Sequence, residues 1–188
     1  QPETHPMKIT APLLQDAALA ALASCASPSQ PGRDQVSVQV ASSLSDQVYQ
    51  DVNAYRRSQG AKDLQRHAGL DRLAQEHCEY LRKNRGTFNL YGKNVSHDGS
   101  EGRALVAMKS LRMLNTSENV ASTLCGVSDA QTAGFLLKLW QKSTDHDYAM
   151  RNPAWTHTGV GTVVDADGQL FGTISLSQLS TRDRFSGF

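Results

Sequence analysis

An α+β fold, with helices first and a β-hairpin closing the chain, is what this sequence predicts, and three observations carry the prediction. Apolar residues recur at helical spacing in three separate windows, 48–55, 70–81 and 133–140. Past residue 156 the period changes to the alternation of strands, broken once by the turn Asp165-Ala166-Asp167-Gly168. Strands and helices never alternate in the βαβ rhythm of a parallel sheet, so a sheet flanked by helices is the natural packing.

The elements follow in chain order. Residues 7–25, MKITAPLLQDAALAALASC, set Lys8 after Met7, then a mostly apolar run, then Leu22-Ala23-Ser24-Cys25. Small residues ahead of a cysteine have the pattern of a bacterial lipoprotein signal, with residues 1–25 as leader and Cys25 as the lipid attachment point. Gln15-Asp16 interrupts the apolar run, so an alanine-rich amphipathic helix or a floppy leader stands as the other reading. On the lipoprotein reading the protein is extracytoplasmic, lipid-anchored to a bacterial envelope or secreted, and its attachment to membrane is peripheral. Residues 26–43 are rich in Ser, Gln and Pro and read as a flexible tether. The domain then occupies residues 44–178, and 179–188 form a C-terminal tail.

Within the domain, Ser45 is a good N-cap for a first helix carrying Val48, Val52 and Tyr55, and Gly60 stops it. A second helix fits 70–84, with Leu70, Leu73, Ala74, His77, Cys78 and Leu81 on one face. His77 lies on that stripe and reads as a packed, hydrogen-bonded core histidine; His67 sits in a polar turn with no partner to name. A third helix covers about 129–142 and buries Ala133, Leu136, Leu137 and Trp140. A short strand fits 118–124. In the final hairpin Val160 and Val164 share one face of the first run, and Leu170, Ile174 and Leu176 share one face of the second. Gly159 and Gly161 suit a close backbone approach at the start of a strand.

Bulk composition narrows the function classes. A chain of 188 residues with 39% hydrophobic and 20% charged content suits one globular domain. Nineteen basic against eighteen acidic side chains, with no basic run, argue against a nucleic-acid partner. No stretch reaches the roughly 18 apolar residues of a membrane span. Of the three cysteines, Cys25 is taken by lipid on the lipoprotein reading, which leaves Cys78 and Cys125 as an even pair. They read as a disulfide in an oxidising compartment or as two free thiols acting as small apolar residues.

Four short pieces remain: Ser96-His97-Asp98-Gly99, Ser117-Glu118-Asn119-Val120-Ala121, Trp140-Gln141-Lys142-Ser143-Thr144-Asp145-His146, and Trp155-Thr156-His157-Thr158-Gly159-Val160-Gly161. In this order they resemble the CAP superfamily of cysteine-rich secretory and pathogenesis-related proteins, most closely its bacterial branch, over residues 44–178. The resemblance implies a three-layer α-β-α sandwich with a shallow cleft holding two histidines and one or two glutamates. Matched residue by residue, these are His97, Glu118 and His146. Ser143 stands in the motif near the place where animal members insert a second glutamate, which disfavours any mechanism that needs two carboxylates.

The chemistry of these residues leaves several readings open. Two neutral imidazoles on opposite walls, His97 and His146, can ligate zinc or another divalent metal and leave positions for water. Glu118 is then a ligand, an orienting group or a proton acceptor, and the candidate for any catalytic role. The same residues can instead satisfy one another as architecture. The preferred function is an envelope-displayed binding module that takes a divalent metal, a small lipid-like ligand or an envelope component. The alternatives are a metal-dependent hydrolase using His97, His146 and Glu118, and a purely structural scaffold. Neither H-E-x-x-H nor G-x-S-x-G occurs to favour hydrolysis.

Overall fold

The computed structural model describes residues 33–88 and 95–181, with side chains from Ser43 onward. The leader with Cys25, the first part of the expected tether and the end of the tail lie outside the described residues.

Among the described residues five helices and four strands follow in the order α1 (Arg33–Ser58), β1 (Gln65–Arg66), α2 (Ala68–Lys83), α3 (Ser100–Ser110), β2 (Met113–Leu124), α4 (Asp129–Lys142), α5 (Thr144–Arg151), β3 (His157–Val164) and β4 (Gln169–Leu179). The strands form one sheet in the order β1-β3-β4-β2, with β1 parallel to β3 and the other pairs antiparallel. Helices α1, α4 and α5 pack on one face and α2 and α3 on the other, which makes the expected α+β sandwich of three layers.

Side-chain alternation divides the core between the two faces. Leu170, Ile174 and Leu176 of β4 and Val160 of β3 meet Val48 and Val52 of α1 and Leu136 and Trp140 of α4. On the opposite face Phe171, Val163 and Val120 meet Cys78 and Leu81 of α2. The apolar stripe expected on α2 is buried in full, from Leu70 to Leu81, with His77 among it. Helix α4 spans 129–142 as its periodicity requires and starts on Ser128, whose side chain accepts from the Gln131 amide.

Helix α2 lies directly on β3, and two glycines make this possible. A Cβ at Gly159 would sit 2.0 Å from the Leu70 carbonyl carbon, and one at Gly161 would sit 2.3 Å from that of Ala74. The helix also caps the strand: Asp71 Oδ1 accepts from the Val160 amide at 2.9 Å, and Gln75 Oε1 from the Thr162 amide at 3.0 Å. Strand amides beyond the reach of the two-residue β1 thus find acceptors on a helix.

Several expectations are corrected. Helix α1 begins at Arg33, not at Ser45, because no Pro or Gly follows Gly32 to interrupt it, so 33–43 are helical where a flexible tether was expected. Ser45 is a buried position inside the helix, and its hydroxyl accepts from Arg66 Nη2. Helices α3 and α5 were not anticipated, and β2 begins at Met113, well before residue 118. His67 has a partner: it is the N-cap of α2, accepting from the Gly69 amide. Cys78 and Cys125 are free thiols. The sheet separates them, since Cys78 packs in the α2 core and Cys125 against the α1/α4 core. Burial pushes the Cys78 thiol up to about 12, although its Sγ donates to Thr173 Oγ1. Among the described residues no helix is long and apolar enough to cross a membrane.

The glycine contacts yield a paired prediction. Gly161→Ala should destabilise the fold by about 3 kcal/mol or more, the upper end of overpacking costs, because the obstacle is helix backbone. Gly134→Ala in α4, with nothing within 4 Å of its added Cβ, should instead stabilise by about 1 kcal/mol. Urea denaturation of the two variants measures both signs.

Candidate functional site

Strand β2 is the last strand of the sheet, and four successive residues along it serve four surroundings. Glu118 points to the side of α2 and α3, Asn119 to α5, Val120 into the α2 core and Ala121 into the α1/α4 core. Period-two geometry thus lets a single short motif, Glu-Asn-Val-Ala, build a cleft margin and two cores at once.

Glu118 is the centre of the polar network, with its side chain 11% exposed. Arg103 of α3 grips it with two bonds, Nε to Oε2 at 2.7 Å and Nη2 to Oε1 at 2.8 Å. His97 Nδ1 lies 3.1 Å from Oε1. Burial pushes the Glu118 carboxyl up, but the hydrogen bonds from His97 and Arg103 and the nearby positive charge outweigh it and hold the group at about 2. Because an ionised carboxylate only accepts, His97 Nδ1 carries a proton toward it.

The loop bearing His97 is held from three sides. Arg103 Nη1 donates to the Asp98 carbonyl at 2.8 Å, and the Asp98 amide donates to Ser96 Oγ at 2.8 Å. Gly99, with φ of 73°, makes the left-handed turn into α3. Behind the loop, fully buried His77 donates from Nε2 to the Ser96 carbonyl at 2.8 Å. Burial lowers the affinity of His77 for a second proton, and Arg103 adds to this, so the ring is neutral and its 3.7 Å approach to Glu118 is not an ion pair.

Opposite stands His146 of α5, its ring centroid 6.1 Å from that of His97 and the ring planes at 62°. Buried Asn119 donates from Nδ2 to the His146 carbonyl at 3.0 Å, which fixes α5 against β2. Ser143 stands at the junction of α4 and α5, and its carbonyl accepts from the Asp147 amide. His97, Glu118, Ser143 and His146, the four residues singled out in the sequence, line one cleft of about 450 Å³. Its apolar lining is Val95, Val120, Ala121, Leu139, Trp140 and Ala149, and Asp145 adds a carboxylate.

Arg103 and His77 belong to the site, although the sequence did not assign them to it. Arg103 lies six residues beyond His97, in the first turns of a helix whose period was not visible. His77 reads from its spacing as a core residue, which it is, while also bracing Ser96 beside His97. The donor set for a divalent ion is short. Glu118 is committed to Arg103 and His97, and among the described residues no group of three or more His, Cys, Asp or Glu is placed to hold a metal. Catalytic zinc sites use three protein ligands beside their water, so this set falls short.

Fold, motif order and cleft place the molecule in a known class, and direct comparison agrees. The sequence profile of the CAP, cysteine-rich secretory protein family matches residues 49–176, and the chain belongs to that family. Solved structures share the fold at low identity. An outer surface protein from Borrelia burgdorferi aligns with a TM-score of 0.57 and 17% identity over 73% of this chain and 94% of its own. An extracellular protein containing an SCP domain from Bacillus anthracis gives 0.60 and 21%, over 80% of this chain and 45% of its own. A cysteine-rich secretory protein from Staphylococcus aureus gives 0.53 and 18%, over 75% and 40%. The chain thus spans less than half the length of the last two. Comparison with curated proteins finds no match.

The depressed carboxyl makes a pH prediction. Glu118 sits at about 2 in the fold against an ordinary 4.5, so its ionised form contributes stability that is complete above about pH 4.5 and lost as pH falls toward 2. The size is about 3 kcal/mol. Glu118→Gln should cost at least that at pH 7, since it also leaves Arg103 without its counter-charge, and most of the carboxylate's own share should be gone at pH 2. Urea unfolding of both proteins at the two pH values measures it.

Proposed function

We propose that the chain is an extracytoplasmic binding module whose cleft takes a small, mainly apolar ligand, with the ligand's polar end against His97 and His146. The observation that carries this reading is the commitment of Glu118: both its oxygens accept from Arg103 and one also from His97. A carboxylate held at about 2 is a weak base at neutral pH, far from the value that suits proton transfer. Glu118 therefore serves as a positioning residue that orients the His97 ring, and the hydrolase reading loses its proton acceptor. The apolar lining offers burial for a hydrocarbon portion, and the two imidazoles and Ser143 offer hydrogen bonds for a head group. An extracytoplasmic location is supported by the solved neighbours described as outer surface or extracellular proteins. Attachment to an envelope through lipid on Cys25 is part of the same proposal, as is an envelope component as the source of the ligand.

Decanoate serves as the probe, and Trp140, which lines the cleft, serves as the reporter. Titration should change tryptophan emission saturably, and His97→Ala/His146→Ala should weaken binding at least tenfold. His67→Ala, at the start of α2, should leave it intact. Failure of decanoate to saturate, or equal affinity in the double variant, overturns the ligand reading. Zinc calorimetry separates the alternatives. A saturating zinc heat that the double variant lacks restores the metal site, and zinc-dependent turnover of a p-nitrophenyl ester restores the hydrolase.

A further inference from the structure

A second cavity, of about 210 Å³, opens behind the cleft between α2, α3 and the ends of β2 and β4. Its composition differs from that of the cleft. Four hydroxyl side chains line it, Ser100, Thr116, Ser175 and Ser177, facing an apolar wall of Leu70, Leu73, Ala104 and Ala107. Thr116 and Ser177 are direct partners across the β2–β4 ladder, so their side chains rise from the same face of the sheet. Ser177 is fully buried and its Oγ has no hydrogen-bond partner. Interior hydroxyls are nearly always paired, and an unpaired one at a cavity floor marks a place where an incoming group completes the bonding.

We infer that this cavity is a second binding site, taking a neutral polyol of about monosaccharide size. Hydroxyl side chains both donate and accept, which matches the hydroxyls of a sugar and not a group that only accepts. The volume equals that of about seven waters at roughly 30 Å³ each, the size of one hexose ring with its hydroxyls. Leu70, Leu73 and the two alanines offer a surface for the C–H face of such a ring. Charge excludes the obvious competitor, an anion. Arg103, the cation at the wall, is already paired with Glu118, and the exposed carboxylate of Glu101 lies among the lining residues. The inference does not depend on the cleft ligand, since none of the four hydroxyl residues lines the cleft.

Amide NMR of the full chain tests it, with D-glucose and inorganic phosphate as probes. D-glucose should shift the amides of residues 100–104, 116–117 and 175–177 saturably, in the millimolar range, while phosphate leaves them in place. Ser177→Ala should weaken glucose binding at least fivefold without lowering the melting temperature, because the lost hydroxyl had no partner. Ala104→Leu, which fills the apolar wall from a half-buried position, should abolish binding, and the amide spectrum itself reports that this variant is folded. The inference is overturned if glucose gives no saturable shift, if its shifts survive Ala104→Leu, or if phosphate binds the same amides more tightly. Decanoate titration of Ala104→Leu keeps the two sites distinguishable: cleft binding should persist there whether or not the polyol site exists.

Discussion

A carboxylate taken almost wholly out of water must be given donors, and in this domain the requirement falls on Glu118. Its partners come from two separate segments, Arg103 from α3 and His97 from the preceding loop, and neutral His77 of α2 braces that loop through the Ser96 carbonyl. Satisfying one buried charge therefore fixes where α3 begins, how the loop turns and which way an imidazole faces. Buried pairs of this kind add little net stability compared with a well-packed apolar substitute, but losing one partner is costly. That asymmetry makes the network a device for geometry. The loop at 95–99 has few apolar contacts beyond Val95, so its shape depends on polar bonds to its neighbours.

The rest of the architecture supplies the platform on which that charge sits. Gly159 and Gly161 let α2 lie against β3 at backbone distance, which sets the depth at which His77 projects. Asp71 does double duty there, accepting from the Val160 amide and pairing with Arg66, which in turn reaches Ser45 in α1. Buried Arg56 performs a comparable service at the other end of α1. Its guanidinium donates to the carbonyls of Lys62, Met150 and Asn152, and so ties α1 to the end of α5. Burial makes its charged form less favourable, and Asp63 opposes this only in part. Both walls of the cleft are thus held by side-chain bonds to backbone, one through Arg103 and the other through Asn119 and Arg56.

What could be read in advance follows from where the apolar residues lie. Helices α2 and α4 and the hairpin were visible because each buries a continuous stripe, from Leu70 to Leu81, from Ala133 to Trp140, and from Leu170 to Leu176. Helix α3 escaped notice because its apolar side chains do not mark its buried face: Leu105, Val106 and Met108 are exposed and only Ala107 is buried. Helix α5 is short and buries Met150 alone. The start of α1 was misplaced because Ser45 looks like a cap in sequence, and only the continuity of the helix shows that it is an interior position. The cleft residues were legible through their motifs and family order. The partner of Glu118 was not, since nothing in the sequence distinguishes Arg103 from any other helical arginine. The possible disulfide failed for a topological reason: residues assigned to opposite faces of one sheet cannot meet, and spacing alone carries no information about faces.

The Arg103–Glu118 pair also divides space. Both residues line the hydroxyl cavity, and Glu118 lines the histidine cleft as well, so one ion pair forms the wall between a mixed polar and apolar cleft and a neutral polar pocket. Such a wall transmits little while it stays intact, because a bidentate pair has one favoured geometry and no second arrangement of similar energy. Coupling between the two spaces then requires a ligand that competes for Arg103 or protonates Glu118. The first would strip a buried carboxylate of its two arginine bonds and leave it the His97 contact, and the second calls for acidity near pH 2. At neutral pH neither is favourable, so ligands on the two sides should bind independently. The constraint that shapes the cleft is for the same reason the one that insulates it.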